Sequence, residues 1–206
     1  MKIQGGYIVA VEGIDAVGKK THSRLLFETL KKRELEAAQM AFPDYDTSIG
    51  KEITSFLSGE KAYPPELQHL LFAANRWEKL GELRSRLKAG EVIVINRYTA
   101  SNLAYGSANG LDVGWLANLE KGLPPANLTI VLDAPPEALR SRRPGRGKDA
   151  YEKSSAIQAK AQKAYRELAR RQGWKLVDAQ GSVEEVQALV LRSVEESLKK
   201  DTGAFV

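Results

Sequence analysis

The chain has 206 residues, 43% hydrophobic and 28% charged, with a formal net charge of +5. That composition suits one globular domain, 1–206, with a sizeable core. With no cysteine, disulfides and thiolate metal sites are excluded, and no apolar run reaches the roughly 18 residues of a transmembrane helix. Met1 to Gly6 lacks the apolar core of a signal peptide, and the lack of cysteine suits a reducing cytoplasm, the expected location.

The first predicted element is the continuous apolar run 7–12, typical of a strand buried on both faces of a parallel sheet. It enters Gly13-Ile14-Asp15-Ala16-Val17-Gly18-Lys19-Lys20-Thr21 directly. Residues 12–21 thus read as a phosphate-binding loop between a strand and a helix. Gly13 and Gly18 permit positive φ, successive N–H groups turn inward, and the following helix adds its positive end. Lys19 is placed to reach the β/γ-phosphates. Lys20 breaks the pattern, which asks for a hydroxyl to hold Mg²⁺, and a protonated lysine is no metal ligand. Thr21 has the hydroxyl, but one residue later on a helix it points about 100° away.

Further strands are expected at 37–42, 91–96, 128–133 and 174–178. Helical spacing fills 19–32, 47–58, 66–89, 99–107, 112–121, 135–141, 154–172 and 182–199. Such alternation implies an α/β fold with helices on both faces of the sheet. Within 66–89 the spacing assigns the core stripe to Leu67, Leu70, Leu71, Ala74 and Trp77. Phe72 and Arg76 are helical neighbours off that stripe, able to stack on a flat base and hydrogen-bond its edge. Asp133 ends a strand, and the expectation is a cap on the helix beginning at Pro135-Pro136. Ser182 with Glu185 reads as a capping box. Arg140, Arg142, Arg143, Arg146 and Lys148 form an acid-free basic cluster in a loop. One local cluster suits a small polyanion, whereas nucleic acid calls for a broad basic face. His22 and His69 are far apart in sequence, and a zinc site is not expected.

Five segments taken together resemble the thymidylate kinase family of P-loop nucleoside-monophosphate kinases, over about residues 7–199. They are Glu12-Gly13-Ile14-Asp15, Phe42-Pro43-Asp44, Leu70 to Glu78, Asn96-Arg97-Tyr98 with Ser101 and Tyr105, and Asp149-Ala150-Tyr151-Glu152. The resemblance implies a five-stranded parallel sheet of P-loop NTPase type with a short basic lid at about 141–153. It also implies a cytoplasmic homodimer that phosphorylates dTMP with ATP and Mg²⁺, with no membrane or nucleic-acid partner.

Residue by residue, the resemblance gives the ATP phosphates to Gly13, Ile14, Asp15, Ala16, Val17, Gly18, Lys19, Lys20 and Thr21, with Arg140 beside the nucleotide. Asp15 lies near the acceptor or the metal. Phe42 and Pro43 border the acceptor, Phe72 stacks on its base, and Arg76 bonds the base's carbonyl edge. Arg97 clamps the acceptor phosphate, Ser101 and Asn102 contact the base, and Tyr105 and Tyr151 complete the acceptor site. Arg143 or Arg146 is the catalytic lid arginine, consistent with Ala16 standing where some members have an arginine. The departures are Lys20, Asn96 (for an aspartate), Ala16, Ala150 and Tyr45. Lys20 and Asn96 fall at positions tied to Mg²⁺ and leave two readings open: an active kinase with looser metal handling, or a nucleotide-binding relative with weak or no catalysis. Another deoxypyrimidine acceptor such as dUMP is a neighbouring reading.

Overall fold

A computed structural model describes residues 2–135, 138, 139 and 155–203 of the chain. The predicted lid, with Arg140, Arg143, Arg146 and Tyr151, lies outside the described residues, as does most of the predicted helix 135–141.

The elements in chain order are β1 (Tyr7–Gly13), α1 (Lys19–Lys32), β2 (Ala37–Ala41), α2 (Ser48–Ser58), α3 (Pro65–Glu78), α4 (Leu80–Lys88) and β3 (Val92–Asn96). They continue as α5 (Thr99–Ala108), α6 (Val113–Glu120), β4 (Leu128–Asp133), α7 (Ser155–Gln172), β5 (Lys175–Asp178) and α8 (Val183–Thr202). The five strands form one parallel sheet in the order β2-β3-β1-β4-β5. Every residue of β1 is buried, which is why its sequence is unbroken by exposed polar positions. Because β2 and β3 lie on one side of β1 and β4 and β5 on the other, the strand order reverses at β1 and opens a crevice at its C-terminal end. That crevice is where open α/β sheets receive ligands.

Two apolar cores flank the sheet. One joins Val9, Val11, Leu26, Leu30, Val92, Val94, Leu116 and the inner face of α8. The other joins Ile8, Ala10, Phe42, Leu83, Ile93, Ile95 and Tyr98. Helix α8 starts with the expected capping box, in which Ser182 and Glu185 satisfy each other's backbone N–H.

Two expectations fail in instructive ways. The single helix 66–89 is two helices, divided at Lys79, which ends α3 and begins α4. Of the stripe assigned to the core, Leu67, Leu70 and Trp77 are exposed and Leu71 and Ala74 half-buried, while His69, Ala73, Asn75 and Arg76 are buried. Apolar spacing misled because the buried polar groups all have partners, and a satisfied polar group can lie inside. Asn75, for example, donates to the carbonyl of Asp44 (3.0 Å) and to Thr47 Oγ1 (2.8 Å). The Asp133 carboxylate accepts from Gln162 Nε2 (2.9 Å) and Arg166 Nε (2.8 Å) of α7, and the helix it is expected to cap lies mostly outside the described residues.

Candidate active site

The loop after β1 is built as its glycines require. Gly13 (φ 131°) and Gly18 (φ 105°) adopt backbone angles that side chains disfavour. A Cβ on Gly13 would fall 2.4 Å from the carbonyl oxygen of Leu132, so the close approach of β1 to β4 depends on its absence. Lys19, at the first turn of α1, is buried and donates from Nζ to the carbonyl of Ile14 (2.7 Å). Its Nζ lies 3.7 Å from Asp15 Oδ1.

Asp15 connects this loop to a second set of residues. The same Oδ1 accepts from Arg97 Nη2. Oδ2 accepts from Gln158 Nε2 (2.8 Å), and Gln158 Oε1 in turn accepts from the Asp15 N–H (3.1 Å) and the Tyr105 hydroxyl (3.2 Å). Arg97 sits just past β3 at φ 64°, an unusual angle for a side-chain-bearing residue. Its guanidinium stacks over the Tyr105 ring at 5.3 Å. Burial disfavours the Arg97 charge, yet Asp15 and neighbouring groups more than compensate, and the guanidinium stays firmly protonated. Burial also raises the Tyr105 phenol above its ordinary range, with Asp15 adding to the effect, so it remains a donor.

Glu12, the penultimate residue of β1, anchors the start of α5. Its fully buried carboxylate accepts from the N–H of Tyr98 (2.6 Å), the N–H of Ser101 (3.3 Å), Ser101 Oγ (2.6 Å) and Tyr165 OH (3.0 Å). A carboxylate at a helix N-terminus meets unpaired N–H groups and the positive end of the dipole. Burial, reinforced by Glu12, raises the Tyr165 phenol well above its ordinary range.

A third cluster runs from α3 to α6. Arg76 donates from Nε (2.9 Å) and Nη2 to the two oxygens of Glu120. Asn102 Nδ2 donates to Glu120 Oε1 (2.7 Å) and to the carbonyl of His69 (3.3 Å). Asn102 Oδ1 lies 2.6 Å from His69 Nδ1, and His69 Nε2 lies 3.1 Å from Asn109 Nδ2. Burial pulls the His69 imidazole below its ordinary range, with Asn102 opposing.

These clusters surround two cavities. The first is lined by Asp15, Phe42, Pro43, Phe72, Arg76, Arg97, Ser101, Asn102 and Tyr105, together with Tyr45, Leu57 and His69. Every described residue expected at the acceptor from sequence therefore borders one space. Ser101 and Asn102 spend their polar groups on protein partners there, the former on Glu12 and the latter on His69 and Glu120. The second cavity runs from Ala16, Gly18, Lys19, Lys20 and Thr21 past Asn96 to Gly181, Ser182 and Val183. The Asn96 side-chain oxygen is buried there without a hydrogen-bond partner among the described residues.

Sequence reasoning missed several of these residues. Gln158 comes from α7, 143 positions from the aspartate it holds. His69 and Glu120 are buried polar groups whose partners exist only after folding. The segment 181–183 shows a helix cap in sequence but gives no sign of facing the loop.

A crevice at a strand-order reversal, with a phosphate-binding loop on one side and an aromatic–arginine cavity on the other, defines the class of P-loop nucleotide kinases. Comparison with known proteins narrows the class. The family model described as thymidylate kinase matches residues 11–190. A thymidylate kinase of Plasmodium falciparum is 35% identical over 190 residues, covering 92% of this chain and 90% of the relative. One of Homo sapiens is 31% identical over 205 residues, covering 98% and 96%. A solved thymidylate kinase structure from Candida albicans superposes with a TM-score of 0.83 at 29% identity, covering 93% of this chain and 92% of that one. The chain belongs to the thymidylate kinase family.

Proposed function

We propose that this protein transfers the γ-phosphoryl group of ATP to the phosphate of dTMP, giving dTDP and ADP. One observation carries the reading: a single carboxylate, Asp15, holds Lys19 of the phosphate-binding loop and Arg97 of the acceptor cavity. The two cationic groups that would meet donor and acceptor phosphates thus share one anchor. An acceptor phosphate oxygen attacks the γ-phosphorus, the bond from that phosphorus to the bridging oxygen of ADP breaks, and ADP leaves with the electron pair. The acceptor is already an anion and needs no strong general base. Catalysis rests on alignment and on neutralising charge around the moving group, the work of Lys19, Arg97 and the loop N–H groups. In the acceptor cavity Phe72 offers a face for the base, and Arg76 offers a donor to its carbonyl edge. Tyr105 packs where the sugar belongs.

ATP would occupy the second cavity, with phosphates on 13–21 and the base toward Gly181–Val183. Magnesium fits there as an ion carried by the nucleotide. Asp15 is committed to Arg97, Lys19 and Gln158. The unpartnered Asn96 oxygen is suited to accept from a water in the ion's shell. When bound, the ion would neutralise charge on the phosphates, and the exposed Lys20 on the same cavity would add to that neutralisation. The catalytic lid arginine is assigned to Arg143 or Arg146, and Arg140 and Tyr151 to the nucleotide and acceptor.

We also propose that the exposed apolar side of α3, formed by Leu70, Ala74 and Trp77 with Ile49 and Leu119, packs on a second copy of the chain. A compartment assignment to the cytoplasm rests on the absence of cysteine in the sequence.

The deciding test is ADP release with dTMP, dUMP, dCMP, dGMP and AMP as acceptors, across a magnesium titration. Turnover fastest with dTMP is expected. Absence of turnover with every acceptor, alongside measurable ATP and dTMP binding, would leave a binding protein in place of an enzyme. Lys20→Ser is expected to weaken binding of metal-free ATP and to steepen the magnesium dependence.

A further inference from the structure

The hydrogen-bond directions in the α3–α5–α6 cluster are fixed by one group. The Glu120 carboxylate, paired with Arg76, can only accept. The Asn102 atom 2.7 Å from Glu120 Oε1 must therefore be Nδ2, which leaves Oδ1 toward His69. His69 must then carry its proton on Nδ1 and donate to that oxygen. Its Nε2 has no proton and accepts from Asn109 Nδ2. The chain of donations reads Asn109 to His69 to Asn102 to Glu120, with Arg76 closing it from the other side.

The consequence lies in what remains for a ligand. At this end of the cavity each acceptor is covered by an internal donor. Arg76 and Asn102 cover the Glu120 oxygens, and His69 covers the Asn102 oxygen. Arg76 carries five N–H donors, and Glu120 engages Nε and Nη2. The end of the cavity beside Phe72 and Arg76 thus presents donors, and the Asn102 oxygen that borders it is taken up by His69.

We infer that His69 is a specificity-determining residue: by covering the Asn102 oxygen it makes the cavity accept pyrimidines with a carbonyl at the distal edge and reject those with an amino group there. This rests on the acceptor-site reading above. Cytosine brings its exocyclic amino N–H groups up to the Arg76 donors, where the Glu120 and Asn102 oxygens are already taken. A base with a carbonyl, such as thymine or uracil, meets Arg76 directly. A buried polar group left unpaired is what gives such sites their discrimination. His69 acts through Asn102 and is a positioning residue, not a catalytic one.

The test measures kcat and KM for dTMP and dCMP in the wild type, His69→Leu and His69→Gln. In His69→Leu the Asn102 oxygen is uncovered and can receive an amino group. The ratio of kcat/KM for dTMP over dCMP is expected to fall about tenfold, the worth of one hydrogen bond, mostly through KM. His69→Gln, whose amide N–H can reach the same oxygen, is expected to restore most of the ratio. The double variant His69→Leu with Asn102→Ala lacks the uncovered acceptor and is expected to show no gain with dCMP. Should His69→Leu not fold, His69→Phe keeps a ring against Phe72 and takes its place. An unchanged ratio, with both acceptors slowed alike, would show that His69 only supports the fold, and so would a dCMP gain that survives in the double variant. A wild type without activity toward dTMP would instead sink the kinase reading itself.

Discussion

Arg97 shows how much one position carries. Its backbone is left-handed, its side chain stacks on Tyr105, and its guanidinium is held by Asp15 and lies 3.4 Å from Ser101 Oγ. Lysine keeps the charge but loses the planar fork that can grip a phosphate and stack at once. Arg97→Lys is expected to lower kcat/KM for dTMP by about a hundredfold while leaving ATP affinity within about twofold, read by steady-state kinetics and nucleotide titration. His69 gives a pH prediction at the same scale. Its folded pKa lies below the ordinary 6.5, so the unfolded chain takes up the proton first. The stability it contributes is complete above that value and declines as pH falls from 6.5 toward the depressed folded pKa. Chemical denaturation at pH 7.5 and 5.5 is expected to show a larger loss in the wild type than in His69→Gln, because only the wild type has the titrating ring.

At the level of elements, the start of α5 hangs from β1 through Glu12. Four donors converge on that carboxylate, two of them backbone N–H groups, of the N-cap Tyr98 and of Ser101 in the helix's first turn. Glu12→Gln turns an NH₂ toward donors and is expected to cost about 3 kcal/mol, seen as a fall of roughly 6–12 °C in Tm. Arg97 and Ser101 would loosen with it, so KM for the acceptor should rise as well. What could be read before folding follows the same logic. The phosphate-binding loop was legible because its glycines, lysine and flanking strand are contiguous, and the residues that share the first cavity because they sit in short recognisable segments. The orientation of α3 was not, because spacing counts apolar residues and cannot see that Arg76 and Asn75 find partners on α6 and in the loop before α2. Gln158 and the 181–183 segment were invisible for a related reason: they are brought to the site by sheet order, not by neighbouring sequence. The break at Lys79 was equally hidden, since Lys79 interrupts no pattern of polarity.

For the whole molecule, the exposed stripe on α3 predicts association. Leu70→Glu puts a charge in the middle of that surface, and sedimentation at micromolar concentration is expected to show a dimer for the wild type and a monomer for the variant. A wild-type monomer would remove the proposed interface without touching the cavity. The helix itself ties the two matters together. Its 14 residues turn Arg76 and His69 to the cavity and Leu70 and Trp77 to the outside. Neighbouring positions on one rigid rod therefore answer to different demands, and neither set can shift without dragging the other. On the proposed interface, relatives that diverge in base preference are expected to drift in their contacts along this surface, and a laboratory selection for new acceptors is expected to return variants whose oligomeric state has changed.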